Sequence, residues 1–366
     1  MITVRGNHYQ MGFQHARQVR ALLPAIREAI DVHFNKLAQD NPDDAFEALV
    51  KETQTVLDSV DPAIVDVIRG LADGLELEFE RLLRYNLVVF LRDILTTRQS
   101  IGANKASPDE GCSTWAATRS ATADGQPILV KNRDFYAEHL PLQIVVQAEP
   151  EEGFRYTYIT SAGSPGVFVA GFNETGLSLV DTHVSSTDVG PGLPTYALSM
   201  HILEEYDTVR SALEYLKSIP RLGRNNLLLA DATGDVALFE IGYQQFAVLE
   251  AENDLLVNTN HFISDKMLTS FVDTQIGTDK GNSQKRYAIL RERLTQAHGR
   301  IDLSFAQALM ASHADPLASI CRHPTIGNTD STISTAIFLI AQRRMCFCHG
   351  LPCRGEYTIY EYANDS

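Results

Sequence analysis

The residues that could do chemistry gather first at 109–135, "DEGCSTWAATRSATADGQPILVKNRDF". Cys112 follows a glycine and opens an alternating segment that turns at Asp124-Gly125 and returns along "PILVKNRDF". Asp-Gly between two such runs is a strong hairpin signal. A thiol at the first residue of a strand, behind a polar loop, is an unusual place for a core cysteine. To attack a carbonyl it must become thiolate, and a free thiol pKa of about 8.5 leaves it mostly protonated near neutrality. A neighbouring His commonly serves as base, but no His lies near Cys112 in sequence, and a distant one would have to arrive through the fold. Cutting the bond before Cys112 supplies another base. The new α-amine has an ordinary pKa of about 7.7–8.0 and sits on the nucleophile's own residue. Gly111 suits such a cut, because a residue without Cβ admits the strained backbone that attack on its own carbonyl needs.

These residues need elements to hold them. Residues 8–100 read as helical: "MGFQHARQVRALLPAIREAIDVHFNKLA" carries apolar residues three and four apart, interrupted by Pro24. "AFEALVKETQTVLDSV" and "ERLLRYNLVVFLRDIL" continue the pattern, and "DPAIVDVIRGLADGLEL" begins with an Asp cap and a Pro at the first helical position. Residues 101–111 read as a linker. Beyond it short strands dominate, at 113–119, 127–134, 142–149, 155–161, 167–172, 177–183, 226–231, 235–241, 245–250, 254–258, 333–340, 343–349 and 356–362. Helices are expected at 195–217, 283–297 and 303–312. The fold class is therefore α+β, with helices covering antiparallel sheets.

Composition narrows the function. A net charge of −15 argues against nucleic acid and against an anionic membrane surface. No apolar run approaches the roughly 20 residues of a membrane span, and the N-terminus shows no secretory pattern. Five cysteines do not form a disulfide framework, so a reducing cytoplasm fits.

The hairpin resembles that of the acyl-coenzyme A:6-aminopenicillanic acid acyltransferase family of N-terminal nucleophile (Ntn) hydrolases, related to bile salt hydrolases and penicillin V acylases. Similar motifs follow in order: "GFNETGLSLV" (171–180), "VNTNHF" (257–262), "NSQKRYAIL" (282–290) and "HGLPCRGEYTIYEY" (349–362), with "GNHYQMGFQHARQVR" as the start. The resemblance implies a four-layer αββα sandwich made as a precursor that cuts itself between Gly111 and Cys112. Residues 1–111 would then remain as a small subunit bound to 112–366, the large one.

It also implies roles. Cys112 would be the nucleophile. Asp134, at the end of the returning strand, would orient the new amine. Asn260 would stabilise the oxyanion, with Asn258 a competing choice. Arg286 would pair with Asp134 or with a substrate carboxylate, while Arg291 and Arg293 read as a solvated face. Lys131, which stands where relatives carry an Arg, and His183 are candidate substrate or oxyanion contacts; Arg133 reads as structural. Asn173 and Gly176 read as turn residues first, with Asn173 also a candidate contact.

"CFCHGLPC" (346–353) offers N and S ligand types. A Cys-x-Cys pair on a strand points Cys346 and Cys348 to one face and His349 to the other. No second paired-ligand cluster stands elsewhere in the sequence, so no metal is expected, and no cofactor. The partner expected is a small N-acyl amide, with a homo-oligomer left open. Three functions stand at this stage: a self-processing amidohydrolase, an acyltransferase using a coenzyme A thioester, or a non-catalytic or metal-holding protein in which Cys112 is inert.

Overall fold

A computed structural model describes residues 1–92, 94–95, 97, 111–274, 281–313, 318–324 and 331–362. Residues 101–110 of the expected linker lie outside that set. The first strand, β1 (Ile2–Gly6), precedes five helices, α1 (His8–Gln18), α2 (Leu23–Gln39), α3 (Asp44–Val60), α4 (Pro62–Leu75) and α5 (Phe79–Leu91). Local signals set several of their ends. Asn7 and Gln10 form a reciprocal capping box on α1. Asp61 accepts from the Ile64 N–H ahead of Pro62. Pro24 lies in the first turn of α2, where its missing N–H costs nothing. Helices α1 and α4 touch backbone to backbone: a Cβ on Gly12 would stand 2.2 Å from the Val67 carbonyl oxygen.

Two sheets follow. One has the order β1-β4-β5-β6-β7-β8-β9-β10, with β4 (Gln143–Pro150), β5 (Tyr156–Ser161), β6 (Ala170–Asn173), β7 (Ser178–His183), β8 (Asn225–Ala230), β9 (Val236–Ile241) and β10 (Phe246–Glu250). The other has the order β11-β2-β3-β12-β13-β14, with β2 (Cys112–Ala117), β3 (Ile128–Phe135), β11 (Leu255–Asn258), β12 (Ser331–Leu339), β13 (Arg344–His349) and β14 (Tyr357–Glu361). All named pairings are antiparallel except β1 with β4, which is parallel. The expectation of wholly antiparallel sheets is corrected at that edge: "ITVRG" finds its partner about 140 residues downstream, which local sequence cannot announce.

Three apolar clusters separate four layers. Helices α1–α5, together with α6 (Thr195–Glu205) and α7 (Val209–Ser218), bury Ile30, Leu57, Ile68, Leu71 and Leu198 against Val146, Leu227 and Phe239 of the larger sheet. Ala116, Leu129, Phe338 and Phe347 of the smaller sheet meet Val145, Ile159 and Leu238 of the larger. Trp115, Val130 and Ile337 pack under α9 (Asn282–Gln296) and α10 (Leu303–Met310), which follow the short α8 (Asp265–Leu268). The layering is αββα, as the resemblance implied. Among the described residues no helix is long and apolar enough to cross a membrane.

One further expectation changes. The single helix expected at 195–217 is two, because the Thr208 side chain accepts from Ser211 N–H and starts α7 anew. The hairpin expected between β2 and β3 is present, its strands antiparallel. The chain runs through a short 3₁₀ turn at Arg119–Ala121 before Gly125, whose φ is +77°. Ala123 and Gly299 exchange backbone bonds with the opposite segments, tying this loop to the end of α9.

Candidate active site

Strand alternation decides what surrounds Cys112. In β2, Ala116 faces the larger sheet while Trp115 and Ala117 face the helices. Cys112 shares the face of Ala116, and Ser113 that of Trp115. Cys112 is 8% exposed, at the mouth of a cleft of about 50 Å³ between the sheets. Val89 and Phe90 of α5, Phe135, Phe168 and Val169 form the apolar wall. Lys131, Arg133, Asp134, Asp181, His183 and Asn225 form the polar side.

The backbone of Cys112 is held at both polar atoms. Its N–H donates to Asn260 Oδ1 at 2.7 Å, and its carbonyl accepts from Arg286 Nη1 at 2.6 Å. Arg286 comes from α9 and is fully buried. It also donates to Ser113 Oγ (2.9 Å), Asn260 Oδ1 (2.9 Å) and Asn282 Oδ1 (2.7 Å). What Arg286 grips is thus the nucleophile's own strand. Two donors on Oδ1 fix the orientation of the Asn260 amide, whose Nδ2 donates to the His183 carbonyl at 3.0 Å. The competing residue, Asn258, is engaged elsewhere: its Oδ1 accepts from Thr182 Oγ1 at 2.5 Å.

Lys131 and Asp181 form a buried ion pair at the base of the cleft, and Asn225 donates to the other Asp181 oxygen at 3.2 Å. Lys131 also donates to the Asp181 carbonyl at 2.6 Å. Arg133 lies opposite Cys112 in register and stacks on Phe135, its guanidinium 4.7 Å from the ring centre.

On the other pleat of β3, Asp134 Oδ1 accepts from Thr332 Oγ1 at 2.6 Å. A bulge in β12 between Thr332 and Ser334 brings that hydroxyl opposite Asp134. Thr332 Oγ1 also receives the Arg322 N–H at 2.8 Å. These groups explain the residue at 111. A Cβ there would meet Arg322 Nη1 at 2.3 Å and Asp134 Oδ2 at 3.0 Å. Gly111 is not among the glycines with positive φ. At rest Gly111 thus carries no left-handed strain, and a Cβ there would require the end of the Arg322 side chain to shift.

Burial pushes the Cys112 thiol above its ordinary pKa; Lys131 opposes this, and the charges of Asp181 and Asp134 add to it. With its amide intact the residue is a thiol rather than a thiolate. His261 is driven down to about 4 by burial and by the Arg286 charge, so it is neutral near pH 7.

Not every sequence candidate reaches the cleft. Asn173 is bound into its turn and the end of α6: Nδ2 donates to the Leu203 and Tyr206 carbonyls at 3.0 and 2.8 Å, and Oδ1 accepts from Thr175 and Leu177. Its candidacy as a substrate contact is corrected on that ground. Gly176 is a turn residue with φ +97°. Arg291 and Arg293 are exposed on α9, Arg291 pairing with Glu252. Cys346 faces the α9–α10 side and His349 Nε2 bonds the Leu140 carbonyl at 2.9 Å. Cys353 leaves that group and lies with His313, Cys321 and His323. The reading that no second cluster exists is thereby corrected: its members stand in "SHADPLASICRH", about 30 residues upstream.

Sequence reasoning missed Asp181, Asn225, Arg322 and Thr332. Asp181 sits in "SLVDTH", where a carboxylate on an apolar strand is a usable signal. The others come from segments whose approach only the fold determines.

The profile of the acyl-coenzyme A:6-aminopenicillanic acid acyl-transferase family matches residues 120–353, a span that holds Asp134, Asn260 and Arg286 and begins just beyond Cys112. No curated protein matches in sequence. Among solved structures, two variants of conjugated bile acid hydrolase from Clostridium perfringens are similar. They show 15% and 13% identity with TM-scores of 0.47 and 0.48, each covering 69% of this chain and 97% of the other. Penicillin V acylase from Agrobacterium tumefaciens is similar at 17% identity and a TM-score of 0.37, over 67% of this chain and 77% of the other.

Proposed function

We propose that this chain, which belongs to the acyl-coenzyme A:6-aminopenicillanic acid acyl-transferase family, is a self-processing amidohydrolase. Its nucleophile is Cys112, made N-terminal by cleavage after Gly111. The observation that carries the reading is the grip on the Cys112 backbone. The nitrogen that would become the α-amine already lies 2.7 Å from Asn260 Oδ1, and the adjoining carbonyl is clamped by Arg286.

In self-cleavage the Cys112 sulfur attacks the Gly111 carbonyl carbon. The C–N bond breaks as the nitrogen takes up the thiol proton, leaving Gly111 joined to sulfur as a thioester. Water hydrolyses that ester to a carboxylate at Gly111 and a free thiol at Cys112. The products are 1–111, the small subunit, and 112–366, the large one.

Turnover repeats the chemistry on a small N-acyl amide. The α-amine takes the thiol proton, and Asp134 nearby favours the ammonium so formed. The thiolate adds to the substrate carbonyl, and the oxyanion receives a hydrogen bond from Asn260, whose Nδ2 has a second hydrogen beyond the one given to His183. Collapse expels the amine, protonated by the ammonium. Water then deacylates the thioester with the α-amine as base. The apolar wall of Val89, Phe90 and Phe168 suits an acyl chain. Five free cysteines suit a cytoplasmic setting.

Coenzyme A as acyl donor finds less support. Its phosphates would need the arginines of "RLGRNN" or "RRM". Arg221 instead caps a helix end at the Leu216 and Ile219 carbonyls, Arg224 is 1% exposed, and Arg344 pairs with Glu361.

A denaturing gel and N-terminal sequencing test the proposal. Wild type is expected as two bands, the larger beginning at Cys112, and Cys112→Ala as one band without amidase activity. A wild-type chain that stays single while hydrolysing amides refutes self-processing.

A further inference from the structure

We infer that His313, Cys321, His323 and Cys353 form a zinc site on the smaller sheet's helix side, separate from the cleft. Their ligand atoms all lie within 4.8 Å of one another. His323 Nε2 is the centre of the group. It stands 3.0 Å from His313 Nε2, 3.3 Å from Cys353 Sγ and 3.9 Å from Cys321 Sγ.

One ring nitrogen carries one lone pair or one hydrogen, so it can satisfy only one of three such neighbours. A cation at the common centre satisfies all four. Bonds of about 2.0–2.1 Å to nitrogen and 2.3 Å to sulfur in a tetrahedron place ligand atoms roughly 3.3–3.8 Å apart. The observed separations bracket that range, so small rotations of exposed His313 and half-buried His323 complete the geometry. The donor set, two thiolates and two imidazoles, selects zinc over magnesium or calcium, which take oxygen. Binding displaces the two thiol protons to solvent and leaves the centre neutral. The Cys353 N–H reaches the Cys321 sulfur, the kind of outer hydrogen bond that stabilises a metal-bound thiolate.

The ligands come from three segments that β-pairing alone does not unite. His313 follows α10, Cys321 and His323 flank Arg322, and Cys353 lies in the turn after β13. Backbone bonds already draw them together: Cys321 N–H donates to the Ser312 carbonyl, and Thr332 N–H to that of Arg322. The metal thus pins both neighbours of Arg322, whose guanidinium reaches Gly111.

The test uses the full chain purified without chelator from zinc-supplemented culture. Elemental analysis is expected to find stoichiometric zinc. Exchange for cobalt is expected to give intense tetrahedral d–d bands with thiolate charge transfer. His313→Ala, an exposed change that leaves the fold intact by circular dichroism, weakens zinc binding by at least about tenfold. Cys353→Ser reduces the thiolate band. Metal-free protein whose spectrum stays empty on adding cobalt overturns the site. So does freshly isolated protein in which peptide mapping finds Cys321 and Cys353 joined as a disulfide. Both readouts are independent of whether Gly111–Cys112 is cleaved or amides are hydrolysed.

Discussion

Leu71 on α4 and Arg286 on α9 are both fully buried, yet they are buried for different reasons. Leu71 belongs to an apolar cluster that spreads from α1 through the larger sheet to α7, where many side chains do the same work. Arg286 holds four named oxygen atoms, one of which, Asn260 Oδ1, also accepts from the Cys112 N–H. The helix layer is a distributed structure, stabilised by area. The cleft is a directed one, stabilised by hydrogen bonds that cannot be shared out. If the chain is cut as proposed, non-covalent burial is what would hold the helices on the sheet. The cleft rests on single named contacts.

The contrast is broken most strongly by a substitution in the layer itself. Leu71→Ala removes buried hydrocarbon and is expected to cost about 2–5 kcal/mol of stability. Denaturant unfolding measures that loss, while the rate per folded molecule stays at the wild-type value. A fall in kcat comparable with the fall in stability would mean that the helix layer shapes the cleft directly.

Asn260→Ala should do the reverse. It removes the acceptor for the Cys112 N–H and the donor proposed for the oxyanion, so kcat is expected to fall about 10²–10³-fold. Steady-state kinetics on protein already cleaved, with the melting temperature recorded alongside, separate catalysis from folding. Gly111→Val comes next. Its Cβ lands on Arg322 and Asp134, and the displaced carbonyl should slow self-cleavage roughly a hundredfold. A time course on gels reads the rate, and an unchanged rate would remove the steric account of Gly111.

The two regions were also unequally legible. Alternation exposed β2 and β3, and antiparallel pairing then put Asp134 near Cys112 without any knowledge of the remaining sheet. Asp61-Pro62 marked the start of α4 because capping is a local contact. Strand β1 stayed hidden, since its parallel partner is distant in the chain. The same reason hid Thr332 and Arg322: Thr332 meets Asp134 through a pairing that no short window of sequence contains, and it in turn receives the Arg322 N–H. The Asp124-Gly125 turn was legible because a turn, like a cap, is local, whereas the contact of its loop with Ile301 was not.

The smallest effect lies where the helix layer borrows the cleft's kind of bond. His201 on α6 stands 3.0 Å from Asp61, the cap of α4, and 3.2 Å from Glu205. Burial alone would lower its pKa, but the hydrogen bond and charge of Asp61, with Glu205, raise it to about 9. His8 on α1 is raised by its bond to Glu204, against the opposing charge of His201. A raised histidine stabilises the fold fully below its unfolded pKa, near 6.5, and that contribution disappears as pH climbs through the folded value. Between pH 7 and 9 the chain is expected to lose at most about 2 kcal/mol from this pair. Thermal unfolding across that range should show the decline, and His201→Gln should flatten it while starting lower at pH 7. A slope untouched by His201→Gln would place the helices' attachment wholly in their apolar face, and the contrast between the two regions would then be complete.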